Sequence, residues 1–543
     1  MAEKPYKTSR DIFRGALILS AAAIIVKILS AAYRIPYQNV AGDIGFYIYQ
    51  QVYPFYGVAL TLSTLGFPVV ISKLIAERGS SENDYTIKDI LSTALVVLGS
   101  IGLLLFMALF LGADWIAGIM RDPELSGLLK IIAFSYLLMP FSSVLRGFFQ
   151  GKNDMIPTAG SQVAEQSIRV VTILVLSTLF VHMGYSLYDV GKGAVFGSIT
   201  GGISGLVLLF AFVLLRREWK LFKPMGVKRP HFIRISRSLI FQGFAFCVTG
   251  LILILFQFVD SLHLYSLLRG SGMGEGEAKG WKGVYDRGQP LLQLGTVGAN
   301  SFALALVPVI SGFVRDRNDQ EILGKVRLVL RVSATIGLAA AVGLMATMRP
   351  VNYMLFTDSK GTVTLAIYSI SILFTSLIMA KAAVIQCLGH SVAPVIITLI
   401  GVGSKWLLDL ALIPRYHIAG AACATVLAFF IMTILFYIVV KVHIKKPLFE
   451  KRHLYIILGS TACMGLAVLL FNEAFRWVMP PEESRMLATF QALGGVGMGA
   501  VIFLFMIIRT GLFTEEELAL IPAGLKVKRL IKKKNRGTEN VDE

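Results

Sequence analysis

Apolar runs of membrane-spanning length follow one another along almost the whole chain, and no other feature constrains its fold as much. Ile90–Leu111, Val170–Val181, Leu206–Leu215, Leu239–Val259, Val426–Val440 and Leu454–Phe471 are uncharged cores of such runs. A helix crossing a bilayer needs roughly 20 mostly apolar residues, because backbone polar groups cannot be left unpaired in hydrocarbon. About fourteen spans are expected, near 12–34, 45–72, 89–112, 127–149, 157–181, 189–215, 238–264, 286–312, 326–348, 362–387, 393–413, 418–440, 453–477 and 486–508. Their number leaves no room for a sizeable soluble domain within 543 residues. The expected class is therefore an all-α integral membrane protein.

Composition agrees. A chain that is 55% hydrophobic and only 16% charged is not an ordinary soluble globule. The net charge of +19 raises the question of nucleic acid. The cations sit at span ends instead of on one face, which fits contact with anionic phospholipid headgroups and argues against a nucleic-acid partner. With about fourteen spans, roughly three quarters of the flanking Lys and Arg fall on the side of the N-terminus. That bias predicts a multi-pass protein of the bacterial cytoplasmic membrane with both termini in the cytoplasm. Lys4, Lys7, Arg10 and Arg14 precede a first run that continues to Tyr33 without a small-residue cleavage site, so it is read as a retained span. Cys247, Cys387, Cys423 and Cys463 lie singly in apolar runs and read as packing residues.

The basic stretch Arg216 to Arg237 divides two blocks of six spans that echo each other. Gln150-Gly151, Pro157 and Gly193-Ala194-Val195 recur as Gln386 with Gly389, Pro394 and Gly420-Ala421-Ala422. Pro68-Val69-Val70-Ile71-Ser72 recurs as Pro308-Val309-Ile310-Ser311. An even number of spans per block makes the repeat parallel, with a pseudo-two-fold axis along the membrane normal and a central cavity that opens alternately. The expected domains are an N-lobe at 1–225, a C-lobe at 226–443, two extra C-terminal spans at 444–510 and a basic, polar cytoplasmic tail at 511–543.

Ionisable groups inside spans are costly and usually face a bundle interior or a wet cavity. Lys27 and Arg34 lie seven residues apart, on one helix face, with no acid near them in sequence. Lys27 is read as lining a cavity. Glu165 and Arg169, like Lys405 and Asp409, have the i,i+4 spacing of a neutralising pair that locks a helix, with substrate contact as the alternative. Asp260, His263, Asp286 and Arg287 fall near span ends, where Asp260, Arg287 and Arg34 could instead snorkel to the headgroups. His263 reads as an interior histidine. No His, Cys or Asp cluster has metal-ligand spacing, and neither a metal nor a cofactor is expected. The glycines at 270, 272, 274 and 276 lack the strand and GK[ST] of a nucleotide loop and read as a flexible external turn. With no ATPase motif or catalytic triad, the chain is not expected to be an enzyme.

Several motifs, taken together, are specific. Lys27-Ile-Leu-Ser-Ala-Ala-Tyr-Arg34-Ile-Pro36, Gln50-Gln51-Val-Tyr-Pro54, Leu145-Arg-Gly-Phe-Phe-Gln-Gly151, Gln162-Val-Ala-Glu165-Gln-Ser-Ile-Arg169 and Tyr285-Asp-Arg-Gly-Gln-Pro290 are spread along the chain. The chain resembles the MurJ-like polysaccharide-transporter family of the multidrug/oligosaccharidyl-lipid/polysaccharide (MOP) flippase superfamily, in its Gram-positive SpoVB- and YabM-like branch. The resemblance implies two six-helix lobes arranged as a V, with two further C-terminal helices. It also implies flipping of an undecaprenyl-pyrophosphate-linked sugar, the peptidoglycan precursor lipid II or a related intermediate, with cell-wall synthesis proteins as possible partners. By the same resemblance Lys27, Arg34 and Arg287 would hold the pyrophosphate. Lys27 stands where many relatives have Arg, and the span-2 arginine of Gram-negative members has no counterpart near Pro54. Glu165, Arg169, Asp260, Asp286, Lys405 and Asp409 are the candidates for cavity lining or coupling. The alternatives are a cation-coupled drug or metabolite antiporter of the same superfamily, a non-transporting scaffold for wall synthesis and, more weakly, a membrane glycosyltransferase.

Overall fold

The computed structural model describes residues 9–77, 85–222, 226–315, 319–390, 392–448, 450–478, 484–514 and 517, and these are helical with no strand among them. The helices are α1 (Ser9–Ala32), α2 (Arg34–Thr61), α3 (Phe67–Ala76), α4 (Ile87–Ile119), α5 (Ser126–Gly151), α6 (Met155–His182), α7 (Leu187–Leu215), α8 (Arg229–Gly270) and α9 (Glu275–Asp286). They continue as α10 (Gly288–Arg315), α11 (Asp319–Ala346), α12 (Met348–Phe356), α13 (Thr362–Ser369), α14 (Ser371–Cys387), α15 (Val392–Ile444), α16 (Lys451–Val478) and α17 (Arg485–Thr510). Eleven described helical stretches are long and apolar enough to cross a membrane. Two of them, Leu17–Ala76 with 60 residues and Val392–Ile444 with 53, far exceed what one crossing needs. The sequence reading counts each of these as two spans and adds Gly288–Arg315. Of the expected tail, residues 515–516 and 518–543 fall outside the described set, as do 223–225 of the dividing basic stretch.

The helices are inside out relative to a soluble protein. On α6 the exposed side carries Ile156, Ile168, Val171, Val175 and Leu179, while Ser161, Glu165, Gln166 and Arg169 are buried. Such a helix puts hydrocarbon-compatible groups outward and uses polar groups as glue within the bundle. Its neighbour α7 has a stripe of Gly197, Gly201 and Gly205 against it. A Cβ at Gly201 would come within 2.7 Å of the Glu165 carbonyl oxygen, so the two backbones approach as closely as only small residues allow.

Local chemistry sets the helix ends and bends. Thr86 caps α4 in a capping box with Asp89, and Ser186 caps α7 by accepting from the Asp189 N–H. In α2, Gly42 adopts φ 70° and ψ −178°, a conformation open essentially to glycine alone. Farther along, Pro54 removes one backbone donor and a π-helical turn at Leu62–Gly66 loosens the ladder before α3. Hydroxyls of Thr61, Ser63 and Thr64 donate to carbonyls in this stretch, which keeps its backbone acceptors occupied.

By packing, the chain forms two compact units: Met1–Pro290 with Pro394–Ala421, and Leu291–Ala393 with Ala422–Glu543. The expected lobes divide the chain by topology, at 225/226; these units divide it by contact. Helix α8, which opens the second six-span block, packs in the first unit against α2, α3 and α4. Phe67 lies where a Cβ on Gly243 would reach it at 2.7 Å, and Ile254 lies 2.9 Å from a Cβ built on Gly57. In the second unit, α11 packs against α14 and α16, and Asn472 ties α16 to α11 by donating to the Ala346 carbonyl at 2.9 Å. Lys381, buried on α14, donates to the Thr433 carbonyl at 3.0 Å.

Candidate functional site

All nine charged residues singled out in the sequence lie in the first unit. Their bonded partners sort them into a cation group with no carboxylate bonded to it and four groups in which each cation bonds to an acid.

The cation group begins on α1. Lys27 is exposed and has no ion pair among the described residues. The chain stays helical through Tyr33, whose N–H donates to the Leu29 carbonyl, and Arg34 opens α2. Arg34 is fully buried, its guanidinium carbon lies 4.3 Å from the centre of the Tyr53 ring, and among the described residues its nitrogens have only the neutral Tyr33 and Tyr53 side chains beside them, none in good hydrogen-bond alignment. A buried arginine that neither snorkels nor bonds to a carboxylate is energetically expensive, by several kcal/mol per uncompensated charge. The second buried guanidinium, Arg169 on α6, donates through Nη2 to the Tyr49 hydroxyl at 2.8 Å and the Tyr33 hydroxyl at 3.0 Å. Its carbon lies 4.2 Å from the Tyr56 ring centre and 5.5 Å from that of Tyr53.

This arrangement corrects one sequence expectation. Glu165 does not pair with Arg169. Its Oε2 is 2.5 Å from Nη2 of Arg146 on α5. Arg146 is better placed for it, because its other nitrogens bond to Ser161 Oγ and the Ser63 carbonyl, both at 3.2 Å. The i,i+4 rule identified neighbours on one helix but could not weigh a competing cation from the next.

Each of the remaining charges bonds to an opposite one. Lys405 and Asp409 pair as their spacing suggested, at 2.7 Å, and Lys405 also donates to Asp260 Oδ1 at 2.6 Å. Asp260 Oδ2 accepts from the Tyr285 hydroxyl at 3.1 Å. Two buried carboxyl groups thus share one buried ammonium. Asp286 and Arg287 separate: Asp286 takes Lys282 at 2.7 Å, and Arg287 bonds to Asp43 Oδ1 at 2.5 Å, the atom that also accepts from Gln38. Snorkelling fails for Arg34, Arg287 and Asp260, which are 0%, 0% and 2% exposed. His263 accepts from the Trp406 indole N–H at 2.8 Å and holds no ligand cluster.

Sequence reasoning missed Arg146, Asp43, Lys282 and the tyrosines. For the last the signal was present: Tyr33, Tyr37, Tyr47, Tyr49, Tyr53 and Tyr56 are six of the chain's 18 tyrosines within one short stretch. All six are buried.

Charges drawn into the interior of a helical membrane protein mark substrate or ion pathways as a class. Residues 12–314 match the family described as "Polysaccharide biosynthesis protein", and residues 285–482 match "Lipid II flippase MurJ". The chain belongs to this MurJ-like polysaccharide flippase family of the MOP superfamily, as its motifs led us to expect. It is 40% identical over 529 residues to the "Uncharacterized membrane protein YabM" of Bacillus subtilis, covering 97% of each chain. From the same organism it is 26% identical to "Lipid II flippase MurJ", over 93% of this chain and 96% of that one. It is 27% identical to "Stage V sporulation protein B" there, over 78% and 83%. Among solved structures, "Lipid II flippase MurJ, inward closed conformation" superposes with TM-score 0.66 at 15% identity, covering 91% of this chain and 99% of that one. A multidrug resistance MATE transporter in an inward-facing conformation does so with TM-score 0.64 at 15% identity, covering 79% and 98%. At that identity the structural likeness establishes the fold.

Proposed function

We propose that the chain flips an undecaprenyl-pyrophosphate-linked sugar, lipid II or a related cell-wall intermediate, from the inner to the outer leaflet by alternating access of two lobes. The observation that carries this reading is Arg34, buried over Tyr53 with no carboxylate bonded to it among the described residues. A pyrophosphate cannot enter hydrocarbon bare, and guanidinium and ammonium groups replace its hydration with charge-assisted hydrogen bonds. Lys27, seven residues earlier and accessible, would receive the anion first and Arg34 would hold it; the polyprenyl tail would stay in lipid. In this reading Arg287 acts through its bridge to Asp43, both termini are cytoplasmic, the membrane is the cell membrane, and the chain carries out no covalent chemistry. A role in wall synthesis follows from the substrate.

The test is transfer of fluorescent lipid II across vesicles containing the purified protein, read by quenching from outside. Arg34→Ala and Lys27→Ala should each slow transfer at least about tenfold, since a charge-assisted hydrogen bond contributes about 1.5–3 kcal/mol. Transfer at the parental rate by both variants would reject the proposal. The triad favours a second reading. Asp260 and Asp409 share the single ammonium of Lys405, an arrangement able to take up a proton or cation, which suits a cation-coupled antiporter. Sodium- or proton-dependent efflux of cationic dyes, with lipid II left untouched, would establish that reading instead.

A further inference from the structure

We infer that Arg169 is a second phosphate ligand of the same site and that Arg34 and Arg169 together select a diphosphate over a monophosphate. This rests on the flippase reading above and assigns a residue that the reading does not need.

Four observations converge. First, both guanidiniums bear on one ring: Tyr53 lies 4.3 Å from the Arg34 carbon and 5.5 Å from the Arg169 carbon. The two carbons are therefore no more than about 10 Å apart, a separation comparable to two linked phosphate groups with a charge-assisted hydrogen bond of about 2.8 Å at each end. Second, the charge of Arg169 has no hydrogen-bonded acid. The carboxylate one turn away, Glu165, is taken by Arg146, and Asp286 is taken by Lys282. Third, both arginines are wholly buried, and among the described residues neither the Arg34 nitrogens nor Nε of Arg169 has a well-aligned hydrogen-bond acceptor. Fourth, the groups that hold Arg169 are neutral. Hydroxyls of Tyr33 and Tyr49 accept from Nη2 and share a 2.7 Å hydrogen bond with each other, while Gln166 accepts from Nη1 at 3.4 Å. Tyrosine rings and hydroxyls orient a cation without cancelling its charge. A purely structural arginine gains most from a carboxylate, as Arg146 does. Arg169 is positioned but left positive, which suits a ligand that brings the anion.

The backbone forces this placement. With Gly201 against the start of the Arg169 side chain, α7 crowds α6 from one side, and the guanidinium extends to the tyrosines of α2. The geometry also supplies an exchange of partners. A phosphate oxygen can replace the tyrosine hydroxyls as acceptor, and the Tyr33–Tyr49 hydrogen bond allows those hydroxyls to remain paired.

The experiment is equilibrium binding of undecaprenyl diphosphate and undecaprenyl phosphate to the full-length protein in nanodiscs, with thermal unfolding measured on each variant. The parent should prefer the diphosphate by about tenfold or more, the value of one additional charge-assisted contact. Arg169→Gln should bring the two affinities together while monophosphate binding changes little. Arg34→Gln should weaken both. Arg169→Lys should retain part of the preference, because an ammonium keeps the charge and loses the fork. An Arg169→Gln protein that folds and still discriminates as the parent does would overturn the assignment. If that variant does not fold, Arg169→Lys decides: full parental preference overturns the assignment and a reduced preference supports it. The failure modes separate. A parent that binds neither lipid removes the flippase reading itself, whereas an effect of Arg34→Gln with none from Arg169→Gln removes only the role given to Arg169.

Discussion

Lys405 shows how far a single buried charge can be read from sequence. Its spacing to Asp409 announced a pair, and the pair is present at 2.7 Å. Asp260, the third member, comes from α8, and no local rule links positions 145 residues apart. Glu165 and Arg169 have the same spacing and the opposite outcome, since Arg146 reaches Glu165 from α5. Helical periodicity thus indicated which charges turn inward, and tertiary packing decided which partner each one takes. The triad makes a stability prediction. Lys405→Met removes the cation between two buried carboxylates and should destabilise the fold by about 3–5 kcal/mol, whereas Lys405→Met combined with Asp260→Asn and Asp409→Leu should recover much of that loss. Thermal unfolding in detergent checks both. A Lys405→Met protein as stable as the parent would show that the carboxylates are not held by this ammonium.

Helix α9 is an element the sequence reading did not foresee, because its glycine-rich approach suggested an external turn. It is fastened at its start and again near its end. Lys279 bonds to Glu275 and to the Tyr188 hydroxyl at 2.7 Å each, and lies 3.5 Å from Asp122, which also accepts from Tyr47 and Tyr188. Near the other end Gly283 sits against α2 so closely that a Cβ would fall 2.1 Å from the Asp43 carbonyl oxygen, and Arg287 then bridges to Asp43. Gly283→Ala should therefore lift α9 from α2 at a cost of roughly 1–3 kcal/mol, visible as a lower unfolding temperature and faster proteolysis near α9. The charges add a pH dependence of known sign. The hydrogen bond and charge of Lys279 hold the Glu275 carboxyl below its ordinary value of 4.5. Burial works against the Lys279 ammonium, but Glu275, Tyr188 and Asp122 outweigh it and raise its pKa above the ordinary 10.5. The carboxylate's contribution is complete above its unfolded value and fades as pH falls through the lower folded one. The ammonium's is complete below 10.5 and fades only above that. The mobility of a fluorophore at Gly276 should thus stay constant from about pH 5.5 to 9.5 and rise in more acidic solution. Loosening centred near pH 7 would assign the clamp to other groups.

For the whole molecule, the apolar runs made the membrane and the helical class legible, because hydrocarbon permits few alternatives. The packing units were not legible. Hydropathy records which residues avoid water, and α8 joins α2, α3 and α4 through the shapes of Gly57, Phe67, Gly243 and Ile254, which hydropathy does not encode. The excess of buried cations at Arg34 and Arg169 has a consequence at this scale. If those two side chains stay with their helices while the substrate passes, the pyrophosphate carries its negative charge outward without compensation, and an inside-negative potential should drive it. The available work is about 2.3 kcal/mol per elementary charge per 100 mV, up to about 50-fold in rate if one full charge crosses the field in the limiting step. Vesicles with a valinomycin-set potassium potential provide the measurement. Lipid II transfer away from the protein's cytoplasmic face should accelerate when that side is negative and slow when the polarity is reversed. A rate indifferent to polarity would mean that the cations move with the anion, and the fixed-charge account of the site would have to be abandoned.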